Sequence, residues 1–106
     1  MEYDRKVIDQ IRSLGLDMIM AAQSGHPGIV LGAAPIIYTL YKNHLQIDPN
    51  NPDWMARDRF ILSAGHGSAL LYATLFMAGY PLTLDDLKQF RHLHSKTPGH
   101  PELGIT

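Results

Sequence analysis

The chain has 106 residues, of which 45% are hydrophobic, and a formal net charge of -1 with its histidines neutral. Its Lys and Arg residues are scattered, so neither nucleic acid nor an anionic membrane is an expected partner. The lack of cysteine excludes disulfides, thiolate zinc sites and thiol catalysis. No apolar stretch approaches the roughly 20 residues that span a bilayer, and the charged start, MEYDRKVIDQ, is not typical of a signal or transit peptide. We therefore expect a cytoplasmic protein.

The first half of the chain predicts two helices joined by a stiff loop. Apolar residues recur at three- and four-residue steps over residues 4–23, which indicates an amphipathic helix. The SGHPG segment at 24–28 should end it, because proline lacks a backbone donor and glycine adopts the terminating conformation. A second helix is predicted over about residues 31–43, with Pro35 in its first turn. Residues 44–59 are dense in Pro, Asn and Asp, which predicts a loop.

The stretch over residues 59–79 predicts a strand, a tight turn and a helix. The short apolar run at 60–62 is typical of a strand buried in a parallel sheet. It is followed by a Gly-His-Gly turn and by a helical pattern over residues 68–78. Ligands of such sheets bind beyond the carboxyl ends of the strands, so His66 in that turn is a candidate site residue.

The last part of the chain predicts one short helix and a tail. The TLDD segment at 83–86 matches a capping box that opens a helix to about residue 92. Its expected inward-facing residues are Leu84, Leu87 and Phe90. From residue 93 to Thr106 we predict loop. In total the chain predicts four helices and one clear strand, and a lone strand cannot satisfy its own backbone groups. The fold class is therefore α/β, with a sheet that this chain does not complete.

Three histidines stand in glycine- and proline-stiffened loops, each directly after a glycine: His26, His66 and His100. Chance alone gives roughly half of one Gly-His pair at this composition, and loops on a rigid scaffold are where binding residues concentrate. A single such histidine would be interpreted as a turn residue facing water, so the hypothesis of one shared pocket depends on the repetition. No histidine pair has the spacing of a zinc site, and we predict no metal ligand. The other three histidines have ordinary polar surroundings: His44, His92 and His94.

Three segments closely resemble the N-terminal region of transketolases, and they come in that family's order. They are SGHPG at 24–28, NPDWMARDRFILSAGHGSALLYA at 51–73 and DLKQFRHLHSKTPGHPE at 86–102. The related deoxyxylulose-phosphate synthases share an SGHP-like loop but not the third segment. The resemblance implies that residues 1–106 are the N-terminal, incomplete portion of the thiamine-diphosphate-binding parallel-sheet domain, mostly helical with one clear strand.

The resemblance also implies an activity and a set of roles. Transketolases bind thiamine diphosphate and Mg²⁺ between the two subunits of a homodimer, and in the pentose phosphate pathway they transfer a two-carbon ketol unit from a ketose phosphate to an aldose phosphate. By the resemblance, His26 and His100 are catalytic and substrate-binding residues, and His66 contacts the cofactor. The family's metal ligands belong to a GDG and Asn motif that follows this segment, so none is assigned here.

The sequence stops at Thr106, before the family's GPLGQG and GDG segments and before the glutamate that activates the cofactor. We therefore expect a fragment that neither turns over sugar phosphates nor binds the cofactor tightly by itself. Two alternatives remain open at the level of sequence. One is the related dihydroxyacetone synthase, and the other is a non-catalytic helical module that binds a partner.

Overall fold

The computed structural model of the chain describes residues 2–102, which form four α-helices. These are α1 (Glu2–Ala22), α2 (Pro27–Thr39), α3 (Ser68–Ala78) and α4 (Leu84–Lys88). A π-helical turn (Leu40–His44) continues α2, and a 3₁₀ turn (Gly65–Gly67) leads into α3. Helices α1, α2 and α3 pack against one another, and α4 packs against α1 and α3. Within residues 2–102, no helix combines the length and apolar character needed to cross a bilayer.

Helix α3 is the centre of the core. All of its residues from Ser68 to Thr74 are buried, as expected for a helix that is apolar on nearly every face. Helix α1 presents Ile11 and Met18 to the same core. A Cβ on Gly15 would lie 2.6 Å from Cγ1 of Val30, so the missing side chain lets α1 and α2 approach closely. The predicted first and third helices are thus confirmed, and Gly15 is a contact point between α1 and α2.

Helix α2 begins earlier than its pattern predicts. Pro27 occupies its first turn, where a fixed φ and a missing N–H are tolerated. Pro35 lies inside the helix, so its predicted place in the first turn is wrong. Its missing N–H leaves the carbonyl of Leu31 without the usual helical donor. Nε of Arg12 on α1 donates to that carbonyl at 3.0 Å, and this cross-helix bond offsets the loss.

The predicted strand at residues 60–62 is wrong, because residues 2–102 contain no β-strand. A strand needs a neighbour to pair its backbone groups, and this part of the chain provides none. Phe60 and Leu62 are half-buried against the core, whereas Ile61 between them is 84% exposed. The α/β class with one clear strand is therefore corrected to a helical segment with an irregular connection ahead of the 3₁₀ turn.

The capping box of α4 is confirmed. The Asp86 backbone N–H donates to Oγ1 of Thr83 at 3.1 Å, and the Thr83 N–H donates to Oδ2 of Asp86 at 2.9 Å. The helix ends at Lys88, earlier than predicted. Leu87 and Phe90 are buried as expected, but Leu84 is half-exposed, because it is the first residue of the helix, one turn ahead of the contact with the core. The tail is irregular to residue 102 as predicted, and residues 103–106 of that predicted loop lie outside the described residues.

A polar cluster joins the start of α1 to the end of α2. The Tyr38 hydroxyl donates to Oδ1 of Asp4 at 2.6 Å, and Nζ of Lys42 donates to the same oxygen. The bonds from Lys42 and then Tyr38 lower the pKa of Asp4. The bond to Asp4 raises the pKa of both Lys42 and Tyr38. Each group therefore stabilises the ionisation state that its partners need.

Candidate active site

The structure brings the three histidine loops together. His26 directly precedes α2, His66 lies in the 3₁₀ turn before α3, and His100 lies in the tail. The ring centroids of His26 and His66 are 5.1 Å apart, with an edge-to-face angle of 75°. A Cβ on Gly65 would lie 2.9 Å from Cδ2 of His100, so the His100 ring packs directly against the turn that carries His66. Residues separated by up to 74 positions thus form one cluster.

Glycine is required at two positions to assemble this cluster. Gly65 leaves room for the His100 ring, because any side chain there would overlap it. Gly25 has φ +144°, and a Cβ at that position would lie 2.6 Å from Cγ1 of Ile19. Both the backbone conformation and the close approach exclude side chains. The glycines ahead of His26 and His66 therefore allow close packing of the loops as well as tight turns.

A groove of about 1320 Å³ runs alongside the cluster. His66 and His100 line it, whereas His26 lies outside its lining. Its apolar lining includes Leu71 and Leu75 of α3, and further polar groups at its edge are Ser63, Lys96 and Glu102. Pockets that bind organic molecules commonly combine an apolar wall with a few oriented polar groups. Within residues 2–102, no group of three His, Cys, Asp or Glu side chains is arranged to hold a metal ion.

Two buried hydroxyls on α3 hold the backbone that carries His100. Oγ of Ser68 donates to the carbonyl of Gly99, and the Tyr72 hydroxyl donates to the carbonyl of Pro98 at 2.6 Å. Both side chains have no exposed surface. The buried Thr97 adds a third link, from its Oγ1 to the carbonyl of Asp86 at 2.8 Å. The tail is irregular in backbone shape but is fixed by hydrogen bonds to buried groups.

These anchoring residues were not predicted from the sequence. A signal was present, because Ser68 and Tyr72 are one helical turn apart on a helix that is otherwise almost wholly apolar, and residues at that spacing share a face. Two polar groups on one face of a buried helix require partners. No comparable pattern marks Thr97, whose acceptor on Asp86 is set by the fold of the tail.

Comparison with known proteins identifies the class of domain. The family model "Transketolase, thiamine diphosphate binding domain" matches residues 3–106. The transketolase of Aquifex aeolicus (strain VF5) is 60% identical over 103 residues, which are 97% of this chain and 15% of that protein. The crystal structure of transketolase from Campylobacter jejuni subsp. jejuni NCTC 11168 has a TM-score of 0.94 and 50% identity, covering 99% of this chain and 16% of that one.

A third similar protein was solved with a sugar phosphate. The crystal structure of Pichia stipitis transketolase complexed with sedoheptulose 7-phosphate has a TM-score of 0.93 and 51% identity, covering 96% of this chain and 15% of that chain. The chain belongs to the transketolase family of thiamine-diphosphate-binding domains. It spans about 15% of the length of the transketolases it matches. The resemblance seen in the three sequence segments is thereby confirmed, while the roles of the individual histidines stay predictions.

Proposed function

We propose that the protein carrying this chain is a transketolase, which transfers a two-carbon ketol unit from a ketose phosphate to an aldose phosphate in the pentose phosphate pathway. The observation that supports this most strongly is the assembly of three histidine loops in a domain whose family binds thiamine diphosphate. The complex of the Pichia stipitis relative with sedoheptulose 7-phosphate supports sugar phosphates as the substrate class.

The groove suits an organic cofactor with a polar end. Its wall is apolar on the α3 side and carries the imidazoles of His66 and His100, which can donate or accept hydrogen bonds. We assign His66 to thiamine diphosphate, as the resemblance of its Gly-His-Gly turn to that of transketolases implies, and its place in the groove at the start of α3 is consistent with this role. The chemistry that the cofactor supplies when bound is a nucleophilic carbon for ketol transfer. Mg²⁺ is also part of the proposal, with ligands from residues outside this chain.

His26 and His100 are assigned to the substrate. Both are exposed at the end of stiffened loops, so their imidazoles are free to reach a bound sugar. Imidazole exchanges protons near neutral pH, and its N–H stabilises an oxygen that becomes negative during carbon–carbon bond formation and cleavage. In this proposal His100 holds the hydroxyl and carbonyl end of the donor, and His26 contacts substrate oxygens and assists proton transfer.

A homodimer in the cytoplasm completes the proposal. Large apolar side chains are exposed on α1 and α2, including Met20 at 75% and Ile36 at 65%. Exposed apolar surface of this kind is usually covered by further protein, and the rest of the domain and a second subunit would provide that cover. The cytoplasmic location stays a prediction from the sequence.

The test uses the complete protein with thiamine diphosphate, Mg²⁺, xylulose 5-phosphate and ribose 5-phosphate. We expect formation of a seven-carbon ketose phosphate and a three-carbon aldose phosphate, followed by mass spectrometry, and no product when thiamine diphosphate is omitted. The isolated 106-residue chain is expected to give no product under the same conditions. Failure of the complete, cofactor-loaded protein to transfer a two-carbon unit would contradict the proposed function.

A further inference from the structure

Arg91 connects the two loops that carry His26 and His100. It follows α4 in a left-handed conformation with φ +64°, and its backbone N–H donates to the carbonyl of Thr97 at 2.9 Å. Its side chain then leaves the tail: Nη1 donates to Oγ of Ser24 at 2.8 Å, across 67 positions of sequence. Ser24 is two residues before His26. One residue is therefore bonded to both loops, through its backbone on one side and its guanidinium on the other.

The guanidinium also packs against the residue before His100. A Cβ on Gly99 would lie 3.0 Å from Nε of Arg91 and 3.3 Å from its Nη2, so the guanidinium lies close against the glycine. Its Cζ is 5.9 Å from the ring centroid of the buried Phe90. Ser68 and Tyr72 of α3 already hold the same loop by its carbonyl groups, and the guanidinium adds a further contact to it.

We infer that Arg91 is a positioning residue that sets the spacing between His26 and His100. The inference rests on the proposed function, in which both imidazoles engage one sugar phosphate. The hydroxyls on α3 fix the His100 loop to the core, while the guanidinium ties the His26 loop to that fixed loop. Displacement of a reacting group by about 1 Å is enough to lower a rate about 100-fold, so a link of this kind affects turnover without touching the substrate.

The shape of arginine explains why this residue type serves here. A guanidinium presents five N–H donors in a rigid plane, so Nη1 reaches Ser24 while Nε and Nη2 lie beside Gly99. The ammonium of lysine is a compact charge with no such plane. A lysine at position 91 keeps the charge but cannot make both contacts. The substitution therefore separates positioning from simple attraction of an anionic substrate.

The kinetic test compares variants of the complete, cofactor-loaded protein. Arg91→Met and Arg91→Lys are both expected to lower kcat/KM about tenfold or more, chiefly through kcat. Ser24→Ala should also lower kcat/KM. Adding Ser24→Ala to Arg91→Met should cause little further loss, because both substitutions remove the same hydrogen bond. The matched control is Lys88→Met, which removes the positive charge of an exposed residue on α4. Wild-type kcat/KM in Arg91→Lys would overturn positioning and favour a role for charge alone.

A structural readout keeps this test separate from the proposed function. The ¹³C–¹H ring signals of His26 and His100 in the complete protein are expected to shift in Arg91→Met and stay unchanged in Lys88→Met. If the wild type transfers no ketol unit, the proposed function fails. Unchanged His26 and His100 ring signals in Arg91→Met would instead overturn the positioning role of Arg91. If Arg91→Met does not fold, Ser24→Ala decides the question, because it removes only the acceptor. An unshifted His26 ring signal in a folded Ser24→Ala variant contradicts the inference.

Discussion

Helix α3 and the stretch just before it are continuous in sequence but are held in different ways. From Ser68 to Thr74 every residue of the helix is buried, with α1 and α2 packed around it. In the preceding stretch Ile61 is 84% exposed, and residues 2–102 contain no strand to pair with its backbone. His66 lies at the junction. The candidate site therefore lies where a buried helix meets a connection that is held only by partial burial of its side chains.

The largest effect on stability is expected from shortening a buried side chain of α3. Leu70 is 1% exposed, and Leu70→Ala should lower the free energy of unfolding of the chain by about 2–5 kcal/mol, because it leaves a cavity. Ile61→Ala is the matched control and should change it by no more than about 0.5 kcal/mol. Urea denaturation followed by circular dichroism measures both. Equal losses of unfolding free energy in the two variants would contradict the difference in packing between the two regions.

A smaller effect is expected where the core holds the tail. Tyr72→Phe removes the hydroxyl that donates to the carbonyl of Pro98 and should lower the free energy of unfolding by about 1–3 kcal/mol, because that acceptor loses its buried donor. Tyr3, which is 70% exposed, supplies the control Tyr3→Phe. If both variants unfold at the same urea concentration, the tail is not anchored through Tyr72.

A substitution at the junction between the two regions should affect activity more than stability. In Gly65→Ala the added methyl group overlaps the His100 ring, which can rotate away at little cost in folding. We expect kcat/KM of the complete protein to fall about tenfold, with unfolding of the chain changed by less than about 1 kcal/mol. The control Gly32→Ala adds a methyl group with no atom within 4 Å. Full activity in Gly65→Ala would show that His100 need not occupy this position.

The smallest effect belongs to the cluster that joins α1 and α2. The lowered pKa of Asp4 means that its contribution to stability is present above the ordinary value of 3.8 and is lost as pH falls through the lowered value. The raised pKa of Lys42 means that its contribution is lost only as pH rises through that raised value. Asp4→Asn should therefore be less stable than wild type at pH 7, and the difference should shrink in acid.

A matched variant makes this pH dependence measurable. Asp17→Asn neutralises another exposed carboxylate of α1 and controls for net charge. Thermal unfolding between pH 2 and pH 7 compares the three proteins. A difference between Asp4→Asn and wild type that stays constant across this range would contradict the pairing of Asp4 with Lys42 and Tyr38.

Local patterns were sufficient wherever both partners lie in one element. The capping bonds between Thr83 and Asp86 and the buried face of α3 were both visible as short motifs. The predicted strand is wrong, because a short apolar run does not become a strand without a neighbour, and residues 2–102 provide none. The start of α2 was misplaced because Arg12, on another helix, compensates for Pro35, and nothing in the local pattern shows that.

The candidate site divides in the same way. The three histidines were found because each repeats a local Gly-His motif. Ser68 and Tyr72 could have been found from their helical spacing. Arg91 could not, because its acceptor Ser24 is 67 residues away and no periodic pattern joins them. Contacts made by loops across the fold depend on tertiary packing, which single-segment patterns do not report.

The most direct test of the shared site follows the ring signals of this chain's six histidines in the complete protein during titration with thiamine diphosphate and then a sugar phosphate. We expect the signals of three residues to shift: His26, His66 and His100. The signals of the other three should stay in place: His44, His92 and His94. Shifts confined to the second set, or no shift at saturating cofactor, would contradict a shared active site at the three histidine loops.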